Sequence, residues 1–307
     1  MKLGLAVVYL VKPGEGDLLR AHLDMIRRHA RLPYRIYASL NRAAPEFLPW
    51  LRSAPDIVDC ALPTTPYRDA TEHSCYLSGL YDAALADGVT HLCNFHLDSF
   101  PVRDGWDEDL VARLEQGHDF IAPPRTELPD ECNPHSLCMF FRADLWRRYG
   151  AFPALPGQPT VDEAFATHRE SRPWQETGDA FGYWIARDGL RWLRLPRSNV
   201  HCDAEHNALI YGDVVFHLGG INSGGPQWNV ADVLTSPTAL WRAHWRQRLG
   251  LRGERFLTEG MRRLLFPAEA RRGAETARAM VTIQARLQAD PQGYVDYLRG
   301  LGPPPPA

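Results

Sequence analysis

Thr90-His91-Leu92-Cys93-Asn94-Phe95-His96-Leu97-Asp98-Ser99-Phe100-Pro101-Val102 is the stretch on which the reading of the whole chain turns. It has the character of a buried strand whose last residues become polar, with an imidazole and a carboxylate one residue apart. Side chains at i and i+2 of an extended segment point to the same side, so His96 and Asp98 are expected to serve one cation or one proton-sharing partner. Pro101 and Asp104-Gly105 end the strand. Asp107-Glu108-Asp109 then opens a helix, with its acids in the first turn where they complement the helix dipole. Open α/β sheets place ligands at the carboxyl ends of their strands, which makes this pair a site candidate.

Upstream, Leu3 to Val11 is a continuous apolar run, as expected of a strand covered on both faces. Leu19, Leu23, Ile26 and Ala30 recur at helical spacing, predicting an amphipathic helix from Asp17 to about Arg31. Strands follow over Tyr34 to Asn41 and Asp56 to Leu62, with a helix from about Ala70 to Ala86 leading into the opening stretch. The alternation predicts parallel units with right-handed crossovers, one doubly wound half of an α/β fold. No G-x-G-x-x-G follows the first strand and no G-x-x-x-x-G-K-[ST] occurs, so neither dinucleotide nor P-loop binding is supported.

Downstream, strands are expected at His118 to Pro123 and Ser136 to Phe141, then a short helix from Arg142 to Tyr149. Residues 150 to 175, rich in Pro, Gly and polar groups, are expected to form a mobile or acceptor-facing loop. Glu176-Thr177-Gly178-Asp179 precedes a helix to about Arg187, followed by a strand from Leu190 to Leu195. Ser198 to Asn207 is an irregular polar segment, and Asp213 to Phe216 is the final strand, delivering His217 into Leu218-Gly219-Gly220. From Ser236 the pattern is helical.

Bulk properties set limits. The 307 residues carry a net charge of −3 and are 45% hydrophobic and 23% charged, which is ordinary for a soluble globular chain and excludes a strongly basic nucleic-acid binder. The six cysteines form no C-x-x-C pair and are expected to be mostly buried free thiols in a reducing compartment. Leu3 to Val11 is too short for a signal peptide and lacks a cleavage site; no other run approaches membrane-spanning length. From Asp232 onward 12 arginines face seven acidic residues, so this part is basic, and it ends in Pro303 to Pro306. The expected organisation is a catalytic unit over 1–230, a helical extension over 231–300 and a disordered Pro-rich tail over 301–307.

Together, the first strand, His96-Leu97-Asp98, the Glu176-Thr177-Gly178-Asp179 helix opening and His217-Leu218-Gly219-Gly220 resemble the family-2-like glycosyltransferases of the A-type (GT-A) fold, over roughly residues 3 to 220. The resemblance implies an α/β fold with a mixed, mainly parallel Rossmann-like central sheet flanked by helices. His96-Leu97-Asp98 matches the family's D-x-D, with histidine in place of the first acid; in a shifted register, Asp98-Ser99-Phe100, Asp98 is retained. The match implies that Asp98 and His96, completed by His217, hold Mn²⁺ or Mg²⁺ and through it the diphosphate of a nucleotide sugar. A ligand set of carboxylate and imidazole favours Mn²⁺ slightly. Asp179, or else Glu176, matches the general base of the inverting members. Tyr9 and Asn41, at the ends of the first two strands, are positioned for the nucleotide base and ribose, and Arg68 and His73 for phosphate.

The implied function is a metal-dependent, inverting glycosyltransferase acting on a nucleotide-diphosphate sugar, UDP-sugar favoured, with a glycan, a lipid-linked sugar or a small natural product as acceptor. A sugar-nucleotide pyrophosphorylase shares the sheet architecture, but Leu10-Val11-Lys12-Pro13-Gly14 is a poor version of its Gly-rich loop. A non-catalytic nucleotide-sugar binder is the third reading. The expected location is cytoplasmic, with the basic tail available to the inner membrane face, and a homodimer is compatible with the resemblance. His201, Asp203, Glu205 and His206 match no zinc template in their spacing, and Trp241 and Trp245 read as a packing stripe.

Overall fold

The computed structural model describes residues 1–67, 69–124, 133–150, 177–201, 208–219 and 267–306. Strand β1 (Leu3–Val11) is apolar along its length because it runs through the middle of a seven-stranded sheet with helices on both faces. It is parallel to β2 (Tyr34–Ala43) on one side and to β4 (His91–Phe95) on the other, and β3 (Ile57–Asp59) extends the sheet beyond β2, also in parallel. Beyond β4 come β7 (Cys138–Arg142), β6 (Phe120–Ala122) and β8 (Trp192–Arg194). Here β7 runs antiparallel to both β4 and β6, whereas β6 and β8 are parallel. The expected mixed, mainly parallel sheet flanked by helices is therefore the architecture of this chain.

Strand alternation sorts the two faces. Leu3, Leu5, Val7, Tyr9 and Val11 pack with Leu19, Leu23 and Ile26 of α1 (Gly16–His29) and Leu110 of α4 (Trp106–Glu115). On the other face Ala6 and Leu92 meet Leu77, Leu80, Tyr81 and Ala84 of α3 (Asp69–Ala86). Each Leu or Ile so buried contributes about 1.5–3 kcal/mol, which holds the sheet rigid under the loops at its carboxyl end. The Pro-rich and Ala-rich connection before β3 forms a short helix α2 (Leu48–Ser53), and α5 (Ala143–Tyr149) follows β7 directly.

A correction falls on the opening stretch. It is not one strand: β4 stops at Phe95, and Ser99–Pro101 is β5 of a second, antiparallel sheet, ordered β5-β10-β9, with β10 (Val215–Leu218) and β9 (Ala208–Tyr211). The final strand thus includes His217, and β9 is a strand that the sequence pattern did not suggest. This second sheet buries Phe100, Ile210 and Phe216 against Ile283 and Leu287 of α7 (Pro267–Ala289) and Tyr294, Val295 and Leu298 of α8 (Pro291–Leu298). Helix α8 begins on Asp290, whose side chain accepts from Gly293 N at 2.9 Å.

Cys93 and Cys138 are buried and Cys60 and Cys75 half-buried, all four as free thiols; Cys132 and Cys202 lie outside the described residues. So do the expected acceptor loop, apart from Gly150, and the region from Ser236 to residue 266. Among the described residues no helix is long and apolar enough to cross a membrane.

Candidate metal centre and active site

The residues between the two sheets, His96-Leu97-Asp98, form a turn. Ser99 N donates to His96 O at 3.0 Å, and Ser99 Oγ accepts from His96 N at 2.8 Å while donating to Leu137 O at 2.9 Å. His22 of α1 donates through Nδ1 to Ser99 O at 2.9 Å. It is this turn that brings His96 and Asp98 to the same side, and not the alternation of an extended strand.

The antiparallel register of the second sheet supplies the third member. His217 pairs with Ser99, and Leu218 N donates to Asp98 O at 2.8 Å. His96 Nδ1 and His217 Nε2 each lie 3.9 Å from Asp98 Oδ1, and the three ligand atoms all fall within 4.8 Å of one another. A separation of 3.9 Å is too long for a hydrogen bond but suits groups that share an ion. Asp98 is only 4% exposed, and its Oδ1 accepts no hydrogen bond among the described residues. Burial pushes its carboxyl up to about 7. His217 is 3% exposed, whereas the His96 side chain, at 22%, opens to solvent, so the triad is reached over His96.

A second segment, Asn133-Pro134-His135-Ser136-Leu137, lines the same space and was not singled out from sequence. The antiparallel pairing of β4 with β7 carries it past the end of β4, since Phe95 lies opposite Cys138. Asn94, fully buried within β4, holds it there: its Nδ2 donates to Ser136 O, and its Oδ1 accepts from Tyr81 OH at 2.9 Å and Met139 N at 3.2 Å. An asparagine inside an apolar strand was the one available signal, because a buried amide must be satisfied. Ser136 Oγ lies 3.3 Å from His96 Nε2, and the His135 ring lies edge to face with His217 at 5.1 Å and with His96 at 6.3 Å.

The same segment reaches helix α6 (Asp179–Asp188). Asn133 Nδ2 donates to Asp179 Oδ1, and Pro134 O lies so close to Gly178 that a Cβ there would be 2.0 Å away. Asp179 is 1% exposed. Beside it, Thr177 Oγ1 is 3.0 Å from His73 Nδ1, and the His73 ring lies edge to face with His96 at 5.0 Å. Burial takes the pKa of His73 down to about 4.

The structure therefore brings His96, Asp98, His217 and His73 together, with Asp179 joined to them through residues 133–137. Tyr9 is a correction. It is 0% exposed and lies edge to face with His22 at 5.7 Å in the core beneath α1, so it offers no face to a nucleotide base. Burial raises its phenol far above the ordinary value. Its position in the strand is inward-facing by the alternation described above, which position along the sequence alone did not disclose. Asn41 is exposed at the end of β2 and donates through Nδ2 to Leu62 O at 2.9 Å. Arg68 and Glu176 lie outside the described residues, as do Asp203, Glu205 and His206; His201 stacks on Tyr297 at 5.1 Å.

No protein-family model matches the chain, and no curated protein matches it. Among solved structures it is similar to the mannosyltransferase PcManGT from Pyrobaculum calidifontis in complex with GDP-Man and Mn²⁺, at 16% identity and a TM-score of 0.41, covering 63% of this chain and 54% of that one. It is also similar to mouse xyloside xylosyltransferase 1 in its apo form, at 13% identity and a TM-score of 0.41, covering 64% and 85% of the respective chains. A third likeness is to a Drosophila galactosyltransferase variant with manganese, UDP-Gal and xylobiose, at 11% identity and a TM-score of 0.40, covering 76% and 79%. The chain spans about half the length of the Pyrobaculum enzyme. Likenesses of this size carry neither substrate nor activity across to this chain.

Proposed function

We propose that this chain is a metal-dependent glycosyltransferase that moves a sugar from a nucleotide-diphosphate sugar to an acceptor hydroxyl. The observation that carries the reading is the convergence of His96, Asp98 and His217 at the carboxyl end of the central strand, around a buried carboxylate oxygen that accepts no hydrogen bond among the described residues. The donor set fits a divalent ion, because a dehydrated carboxylate regains through a cation what it lost with its water. Two imidazoles and one carboxylate suit Mn²⁺ better than Mg²⁺, which prefers an all-oxygen shell. Such an ion neutralises the charge that grows on a departing diphosphate.

The remaining roles belong to the chain itself. Asp98 and His217 are fixed by the register of the second sheet and His96 by the turn, and in this reading His73, whose ring meets that of His96, serves the phosphate, with Arg68 proposed for the same role from its sequence position. The acceptor's proton goes to a carboxylate at the start of α6, Asp179 first and Glu176 second, in a single inverting displacement. UDP-sugar is the favoured donor.

The test is a thermal-shift panel of UDP, GDP, TDP and CDP, each with and without Mn²⁺. A ligand at 100 times its dissociation constant stabilises by about 2.7 kcal/mol, which such melts resolve. Metal-dependent stabilisation by one of the four is expected, and no shift with any of them would sink the donor site.

A further inference from the structure

We propose that Ser99 is the positioning residue of the metal triad, its hydroxyl holding His96 at its spacing from Asp98 and His217. The inference rests on the transferase reading above and adds to that site a residue outside the ligand set. Ser99 follows Asp98 directly, opens β5 and is fully buried. Its Oγ has one proton to give. That proton goes to Leu137 O at 2.9 Å, closer than His96 O at 3.2 Å, while an oxygen lone pair takes the His96 N–H at 2.8 Å. One hydroxyl thus ties the turn that carries two of the ligands to the 133–137 segment beside it.

The backbone of Ser99 is held as firmly. Leu218 N donates to Asp98 O, so the next pair along, Ser99 opposite His217, is a non-hydrogen-bonded one. Side chains so paired share a face of the sheet at their closest approach, which sets Ser99 beside the third ligand. The Ser99 carbonyl, turned away from β10, accepts from His22 Nδ1 at 2.9 Å. Alanine at 99 would keep the pairing and the Ser99 N to His96 O bond but remove both hydroxyl bonds, releasing the turn from Leu137. Groups that orient the ligands of a metal typically matter about 10- to 100-fold in its affinity.

The experiment compares full-length wild type, Ser99→Ala and Ile210→Val. Ile210 is buried in the same second sheet against α7 and α8, so its truncation controls for general loosening of that sheet. Three quantities are measured: melting temperature and hydrogen exchange at the His96 amide without metal, and Mn²⁺ affinity by electron paramagnetic resonance. Ser99→Ala is expected to exchange faster at His96 and to bind Mn²⁺ about 10- to 100-fold more weakly. Ile210→Val is expected to melt lower while keeping exchange and Mn²⁺ affinity within about twofold. Unchanged Mn²⁺ affinity in Ser99→Ala would overturn the inference and leave the transferase reading standing. So would a loss no larger than that of Ile210→Val, or weaker Mn²⁺ binding with unaltered exchange at His96, since the hydroxyl would then not act through the turn. A wild-type protein that binds no Mn²⁺ would overturn both. Should Ser99→Ala fail to fold, Ser99→Thr, which keeps the oxygen, decides: Mn²⁺ affinity within about twofold of wild type is expected, and a loss of about tenfold or more counts against the inference.

Discussion

His217 lies opposite Ser99 across the antiparallel pair β5–β10, and that register sets His217 Nε2 3.9 Å from Asp98 Oδ1. Two residues more than a hundred positions apart in the chain become neighbours through three backbone pairings. The carboxylate between the two sheets is the point on which the site depends.

Asp98→Asn removes the charge and keeps the shape. Without metal the variant should melt no lower than wild type, because a buried carboxylate oxygen that accepts no hydrogen bond costs stability. With Mn²⁺ plus nucleotide, the stabilisation of about 2.7 kcal/mol expected for wild type at 100 times the dissociation constant should vanish. Paired melts check both halves, and a variant still stabilised by Mn²⁺ would take Asp98 out of the metal set.

Asp179→Asn tests the general base against a plain structural role. Loss of the charged acceptor for Asn133 Nδ2 should cost about 1–3 kcal/mol in urea unfolding. If Asp179 takes the acceptor's proton, transfer should also fall by about 10² to 10⁴-fold with donor affinity retained. A destabilised variant with near-wild-type transfer would leave Asp179 as the tie to residue 133 and move the search to Glu176.

Gly178→Ala places a methyl group 2.0 Å from Pro134 O, which is backbone and cannot swing aside. Either α6 or the 133–137 segment must shift. We expect a loss of about 1–3 kcal/mol in urea unfolding, as for overpacking elsewhere, together with weaker Mn²⁺ binding, because Ser136 and His135 move with Pro134. Unaltered stability would mean that the seat is looser than this contact implies.

His22 gives a pH dependence of known sign. Burial lowers its pKa to about 4, with the Ser99 carbonyl acting in the opposite direction. The unfolded ring titrates near about 6.5. Between those values the unfolded chain takes up a proton that the folded chain refuses, so stability falls as pH falls from 6.5 toward 4, by up to about 3 kcal/mol, with no contribution above that window. The raised pKa of Asp98 acts with the opposite sign on the way down from 7. The comparison is therefore between wild type and His22→Gln, whose stability should decline less over this window; equal slopes in urea titrations at pH 7 and 4.5 would refute the assignment.

The α/β class, the amphipathic α1 and the apolar β1 were legible in the sequence because each follows from side-chain periodicity within a dozen residues. The triad members His96, Asp98 and His217 were also named there, through the family resemblance, since chemistry-bearing residue types at strand ends are visible without coordinates. What the strand alternation could not supply was the break at Phe95. Whether a chain continues in one sheet or crosses to another depends on which distant strand pairs with it, and β10 lies more than a hundred residues away. The same reason hid residues 133–137, which have no period of their own and reach the site only because β7 pairs antiparallel with β4. Tyr9 shows the reverse failure: a strand-end position suggested a ligand contact, but the direction of its side chain was settled by α1 packing over it. Local pattern determined the elements and the chemical inventory of this protein. Long-range strand pairing, which no local pattern encodes, decided which members of that inventory meet.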